Sequence, residues 1–222
     1  SNLSDGRMFP LRTEDGQPIS QEYANTRNRN EPLVEITQVK GTSEAHPMLS
    51  PNDEFADFEI NAKYVVGTKP ITKFNGGYVR DAYRTGLEFK DTEKFNPYRF
   101  GIIAATDSHT GIIPIEESNY SGKVGTADGS PERRLTNKAL NKYSASGLAG
   151  LWANENTRTG VYEALERKET WGTTGPRIKV RFFGGFDMKK VNSESKGWVE
   201  TAYANGVSMG GELKATDVRS GG

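Results

Sequence analysis

The sequence has no cysteine and only two histidines in 222 residues. The lack of cysteine excludes disulfides and thiolate metal sites, so any transition metal must be held by His, Asp or Glu, and it leaves the redox compartment undetermined. Long apolar runs are missing too. No stretch approaches the ~18 residues needed to span a bilayer, and residues 1–6 have neither the basic region nor the apolar stretch of a signal peptide. Neither sign of charge is in excess: Lys plus Arg and Asp plus Glu are 29 each. No net field therefore draws the whole molecule to nucleic acid or to an anionic membrane. A phosphate-cradling P-loop, a Gly-X-Ser-X-Gly elbow and a cysteine nucleophile are all absent, which leaves covalent serine or cysteine catalysis without support.

What is present suffices for one sizeable domain, or a domain with a small appendage. Residues 1–32 are polar and read as surface connection with a short helix near residues 21–26. Residues 33–37 are β-branched and apolar, a buried strand, followed by a loop with Glu44, His46 and Pro47. The acidic and aromatic stretch 50–77 reads as a long excursion. Over 78–90, Val79, Ala82, Tyr83, Gly86 and Leu87 recur at helical spacing. The break at Asn96-Pro97 precedes the nearly continuous apolar run 100–106, the pattern of a strand covered on both faces in a parallel sheet.

The second half is less regular. Residues 116–145 read as loop, with Lys123, Arg133, Arg134 and Lys138 as solvated charges. Residues 146–153 suggest a packed turn or short helix, and 157–169 a helix capped by Asn156 or Thr157 and stopped by 172–175. Residues 177–183 alternate charged and apolar, which predicts a strand with one wet face. Residues 198–203 are a weaker strand candidate. These patterns divide the chain into an α/β part, 1–177, and a β-rich extension, 178–222.

The sharpest chemical feature is Asp107-Ser108-His109 directly after the apolar strand. In extended chain the alternation sends both side chains the same way, so a carboxylate and an imidazole can reach neighbouring metal ions. The structural alternative is a strand-end Asp that caps a turn. His46 also follows a predicted strand, so if 33–37 and 100–106 share a sheet, both histidines emerge at one edge. Glu44 or Glu35 can serve as a further ligand or as an acceptor that fixes an imidazole. Arg177, after Thr173-Thr174-Gly175-Pro176, can orient an anionic group, although turn composition explains its neighbours.

The block from Asn96 through Phe100-Gly101-Ile102-Ile103-Ala104-Ala105-Thr106-Asp107-Ser108-His109 to Gly111 resembles the last metal-binding strand of PHP-like (polymerase and histidinol phosphatase) hydrolases. The specific likeness is to a bacterial family catalogued as domain of unknown function 3604. Residues 2–9, 31–38, 44–47, 53–57, 146–149, 155–158 and 173–177 look like further blocks of that family in the expected order. The resemblance implies the C-terminal part of a distorted β/α barrel followed by the start of a small β appendage. It implies two or three divalent metals (zinc, manganese or iron) at the strand ends, with Asp107 and His109 as ligands and His46 as a plausible third. It also implies hydrolysis of a phosphoester or related bond by metal-activated water. Arg177 and Glu44 are the candidates for contact with a small anionic substrate.

Relatives carry a His-X-His pair and further ligands before the point that corresponds to Ser1. The expectation is therefore a segment of a longer, exported protein, completed by a missing segment or by association into a homo-oligomer. The competing expectation is a non-catalytic ligand-binding or structural segment. Neither reading involves nucleic acid or a membrane span.

Overall fold

The structure, a computed structural model, describes residues 4–61, 70–111, 122–137, 143 and 146–214. The first helix, α1 (Gln21–Asn30), begins where the Ser20 hydroxyl accepts from the Tyr23 amide at 3.1 Å. Such a cap satisfies one of the donors that a helix start leaves orphaned. After Pro32 come β1 (Leu33–Glu35), then β2 (Thr37–Gln38) and β3 (Gly41–Thr42), which pair as a tight antiparallel hairpin.

A long irregular excursion leads to α2 (Val79–Thr92) and then β4 (Gly101–Ile103). β4 returns parallel to β1, with Leu33 opposite Gly101, Val34 opposite Ile102 and Glu35 opposite Ile103. A parallel pair requires a long crossover, and α2 lies within this one. Next follow α3 (Gly125–Asp128), α4 (Pro131–Thr136), β5 (Leu148–Leu151), α5 (Arg158–Glu166) and β6 (Thr170–Thr173). β5 and β6 form an antiparallel pair that lies against β4, where the Thr170 hydroxyl donates to the Ile102 carbonyl at 2.8 Å. The last elements are β7 (Phe183–Gly184), α6 (Trp198–Asn205) and β8 (Val207–Ser208), with β7 antiparallel to β8. The architecture is mixed α/β with small two-stranded sheets, and no closed barrel forms among the described residues.

The core joins Phe9, Ile36, Val79, Ala82, Tyr98, Phe100 and Ala104. Phe9 stacks on Phe100 with centroids 5.2 Å apart and meets Tyr98 edge-on at 5.7 Å. Burying such aromatic side chains is the largest favourable contribution a core residue makes, about 1.5–3 kcal/mol each. Arg27 of α1 covers this cluster, its guanidinium 5.2 Å from the Tyr98 ring while it donates to the Met8 carbonyl at 2.6 Å.

Several expectations are corrected by this packing. Residues 1–32 are not all surface connection, because Phe9, Ile19 and Ala24 are buried. On α2, Leu87 is 65 % exposed while Asp81 is buried and paired with Arg84 at 2.6 Å, so the inner face runs through Asp81 rather than Leu87. Residues 148–151 form a strand instead of a turn or helix, and 170–173 form its partner instead of a helix stop. Small residues let the pair approach the β4 segment: a Cβ on Gly172 would sit 2.8 Å from the Ala104 Cβ.

Of residues 177–183, Phe183 enters β7 and the Phe182 carbonyl continues that ladder by accepting from the Met209 amide at 2.9 Å, whereas 177–181 lie in no strand. Two carbonyls there are taken by indoles, Trp171 Nε1 donating to Ile178 at 3.0 Å and Trp152 Nε1 to Val180 at 2.8 Å. Residues 198–203 belong to a helix, because Ala202 is fully buried and Trp198 and Tyr203 both close edge-on against Phe183. Of the region 116–145, residues 116–121, 138–142 and 144–145 lie outside the described residues, and the described part contains α3 and α4.

Candidate functional site

The β1/β4 pairing continues past the formal strand ends. The Ile36 amide donates to the Ile103 carbonyl at 2.8 Å, and the Ala105 amide to the Thr37 carbonyl at 3.1 Å. Asp107 therefore emerges beyond the carboxyl ends of two parallel strands, the place where open α/β sheets collect ligand-binding groups. There the chain turns. Asp107 has φ +54°, in the left-handed region that Asp tolerates better than most residues, and the Ser108 amide donates to the Thr106 hydroxyl at 3.1 Å. Despite this turn, Asp107 Oδ1 and His109 Nε2 meet at 3.2 Å. The strand alternation expected to align them stops short, and the turn aligns them instead.

A second segment fixes the site from the other side. The His109 amide donates to the Lys123 carbonyl at 2.7 Å. The buried Asp128 carboxylate accepts from the Lys123 amide at 2.6 Å and the Val124 amide at 2.7 Å, which pins the backbone that carries Lys123. Lys123 Nζ then donates to the Asp107 carbonyl at 3.0 Å and to Asp107 Oδ2. Lys40, on the turn between β2 and β3, also contacts Asp107 Oδ2 and donates to Gln38 Oε1 at 2.9 Å. Burial, followed by the neighbouring Lys123 ammonium, lowers the Lys40 pKa to about 8, against an opposing attraction from Glu35. The Lys123 side chain is 5 % exposed, Lys40 14 %, Asp107 18 % and His109 57 %, so the imidazole is the group that solvent reaches.

The other sequence candidates lie in different surroundings. His46 stacks on Phe74 at 4.1 Å and tilts against Tyr78 at 5.1 Å, and its Nδ1 accepts from the Met48 amide at 3.1 Å. Burial lowers its pKa. Glu44 binds Arg80 at 3.0 Å, and Arg80 also pairs with Asp53, a cluster at the start of α2. Arg177 Nη1 donates to the Ser146 carbonyl at 2.9 Å and to the Thr173 hydroxyl at 3.0 Å, tying the segment after β6 to the entry of β5.

Sequence reasoning overlooks Lys40 and reads Lys123 as solvated, whereas Lys123 is buried. The signal for Lys40 is its place in Val39-Lys40-Gly41, between a buried valine and a glycine with φ +104°. For Lys123 no local pattern exists, because its burial depends on the distant Asp107. Arg133 and Arg134 donate to the Thr126 and Asp128 carbonyls at 2.7 and 3.0 Å, and Lys138 lies outside the described residues.

A divalent ion with ligand bonds of about 2.0–2.2 Å holds adjacent ligand atoms about 2.8–3.6 Å apart, from octahedral to tetrahedral geometry. The Asp107 Oδ1 to His109 Nε2 distance fits that spacing. The same distance is that of a hydrogen bond between the two side chains, and no group of three or more His, Cys, Asp or Glu suited to a metal occurs among the described residues. Among the described residues no helix is long and apolar enough to cross a membrane.

The sequence profile of the family described as "Protein of unknown function (DUF3604)" matches residues 1–221. The chain belongs to the DUF3604 family. No curated protein and no solved structure matches it. The blocks quoted above for the resemblance fall within the matched DUF3604 range, including the Asp107-X-His109 turn.

Proposed function

We propose that the protein is a metal-dependent hydrolase of phosphoester-like substrates, related to the PHP superfamily, with the β1/β4 pair as part of a distorted β/α barrel. The observation that carries the reading is the 3.2 Å approach of Asp107 Oδ1 and His109 Nε2 beyond the carboxyl ends of two parallel strands. Oxygen and nitrogen donors in this arrangement suit zinc, manganese or iron. A divalent ion supplies such sites with activation of water for attack on a phosphorus or carbonyl centre. Asp107 contributes a carboxylate oriented by its turn, and His109 contributes an exposed nitrogen open to a small molecule. The reading requires ligands beyond these two side chains.

A second reading, a non-catalytic ligand-binding segment, draws on one specific feature. Asp107 Oδ2 is already neutralised by two ammonium groups, a satisfied arrangement with no ion. Metal content separates the two readings. The purified protein is analysed by plasma mass spectrometry, and manganese and zinc are titrated calorimetrically into the chelator-treated wild type, Asp107→Ala and His109→Ala. The hydrolase reading expects stoichiometric metal in the wild type, at least about ten-fold weaker binding in each variant, and loss of p-nitrophenyl phosphate turnover. Wild-type metal affinity and turnover in both variants would sink it.

A further inference from the structure

We propose that Lys40 and Lys123 form an oxyanion-binding pair that takes a tetrahedral dianion, such as the phosphoryl group of a phosphomonoester, beside Asp107 and His109. Placing that anion on a substrate rests on the hydrolase reading, whereas the binding of the anion does not.

Both ammonium groups converge on a single oxygen, Asp107 Oδ2. Donors that converge on one carboxylate oxygen can converge equally on one oxygen, or two adjacent oxygens, of a tetrahedral anion. Both side chains are largely withdrawn from water, 5 % exposed for Lys123 and 14 % for Lys40. Buried cations need an anionic partner, and among the described residues Asp107 is the carboxylate that both ammonium groups contact. The Asp128 carboxylate accepts from the Lys123 and Val124 amides.

The pair is also held in place before any ligand arrives. Gln38 Oε1 fixes Lys40, the Asp107 carbonyl fixes Lys123, and the Asp128 carboxylate fixes the Lys123 backbone. Preorganised cations of this kind bind an anion without first paying to assemble. When Asp107 turns away, the two ammonium groups lose their shared partner, and a dianion takes its place. Lysine suits the role as a compact point charge.

The test is calorimetric titration of inorganic phosphate into the chelator-treated protein at constant chloride. In the wild type Asp107 competes for both ammonium groups. Asp107→Asn releases them while keeping a residue that tolerates the left-handed turn. This variant is expected to bind phosphate at least about ten-fold more tightly than wild type, and adding Lys40→Gln or Lys123→Gln is expected to abolish the gain. A folded Asp107→Asn with no gain, or a gain that survives loss of either lysine, overturns the proposal. If Asp107→Asn does not fold, thermal unfolding decides. Phosphate then raises the wild-type Tm and leaves the Tm of Lys40→Gln and Lys123→Gln unchanged, and equal protection of all three overturns the proposal. No metal is present in these titrations, so their outcome is independent of the manganese and zinc titrations that test the hydrolase reading.

Discussion

Lys123 reaches Asp107 twice, through one ammonium that meets the carboxylate and also donates to the main-chain carbonyl at 3.0 Å. A single side chain thus neutralises the acid and closes the turn in which Asp107 has φ +54°. The segment after β4 and the segment before α3 are thereby joined at the point where the candidate ligands sit.

Replacing Lys123 by Met keeps most of the apolar stem and removes both donations. The Asp107 carbonyl and part of its carboxylate lose a partner in a site whose lysine is 5 % exposed. Loss of stability of about 1–3 kcal/mol is expected from urea unfolding. A change below about 0.5 kcal/mol, the range of ordinary surface substitutions, would contradict this account of the turn.

The β5/β6 pair approaches β4 so closely that a methyl group has no room. A Cβ on Gly147 would lie 2.5 Å from the Ala104 Cβ and 2.7 Å from the Thr173 carbonyl oxygen, and one on Gly172 would lie 3.0 Å from the Ala104 amide nitrogen. Gly147→Ala and Gly172→Ala are each expected to destabilise by about 1–3 kcal/mol through overpacking. Denaturant midpoints measure this, and wild-type midpoints in both variants would show that the strands separate at no cost.

Phe9 contributes to the core from a segment with almost no regular structure. It is 2 % exposed and packs on Tyr98 and Phe100. Phe9→Ala is expected to cost about 3–5 kcal/mol, readable as a drop in the chemical unfolding midpoint. A small effect would mean that the N-terminal segment detaches without disturbing the rest.

His46 gives the molecule a pH response. Burial against Phe74 and Tyr78 holds its pKa below the ordinary 6.5. Below that value the unfolded chain binds more protons than the folded one, so the stability present above about pH 6.5 is lost as pH falls through the folded pKa. NMR titration should place the His46 imidazole below 6.5. Urea midpoints between about pH 7.5 and 5 should fall less in His46→Phe than in wild type. An unshifted His46 resonance would refute the prediction.

Elements carried by strong local periodicity are legible in the residues alone. The pattern over 78–90 is α2, the pattern over 157–169 contains α5 with Thr157 at its cap, and the apolar runs at 33–37 and 100–106 contain β1 and β4. Weakly patterned segments mislead. Leu148–Leu151 is built of small residues whose strand exists only because Thr170–Thr173 lies beside it. The clean alternation of 177–183 reaches a ladder only at its end, where Phe182 and Phe183 pair with the β8 segment, while the indoles of Trp152 and Trp171 take the Val180 and Ile178 carbonyls.

The sequence by itself determined the family of the chain, its main helices, its apolar strand runs and the Asp107-X-His109 motif, because periodicity and residue chemistry are local properties. The tertiary structure alone decided that Lys40 and Lys123 share Asp107, that His46 packs on Phe74 and Tyr78, and that Arg177 braces Ser146 and Thr173. The physical reason is distance along the chain. The charge of Asp107 is compensated by side chains from two separate segments, and no short window of sequence contains both a buried charge and the partners that make its burial tolerable.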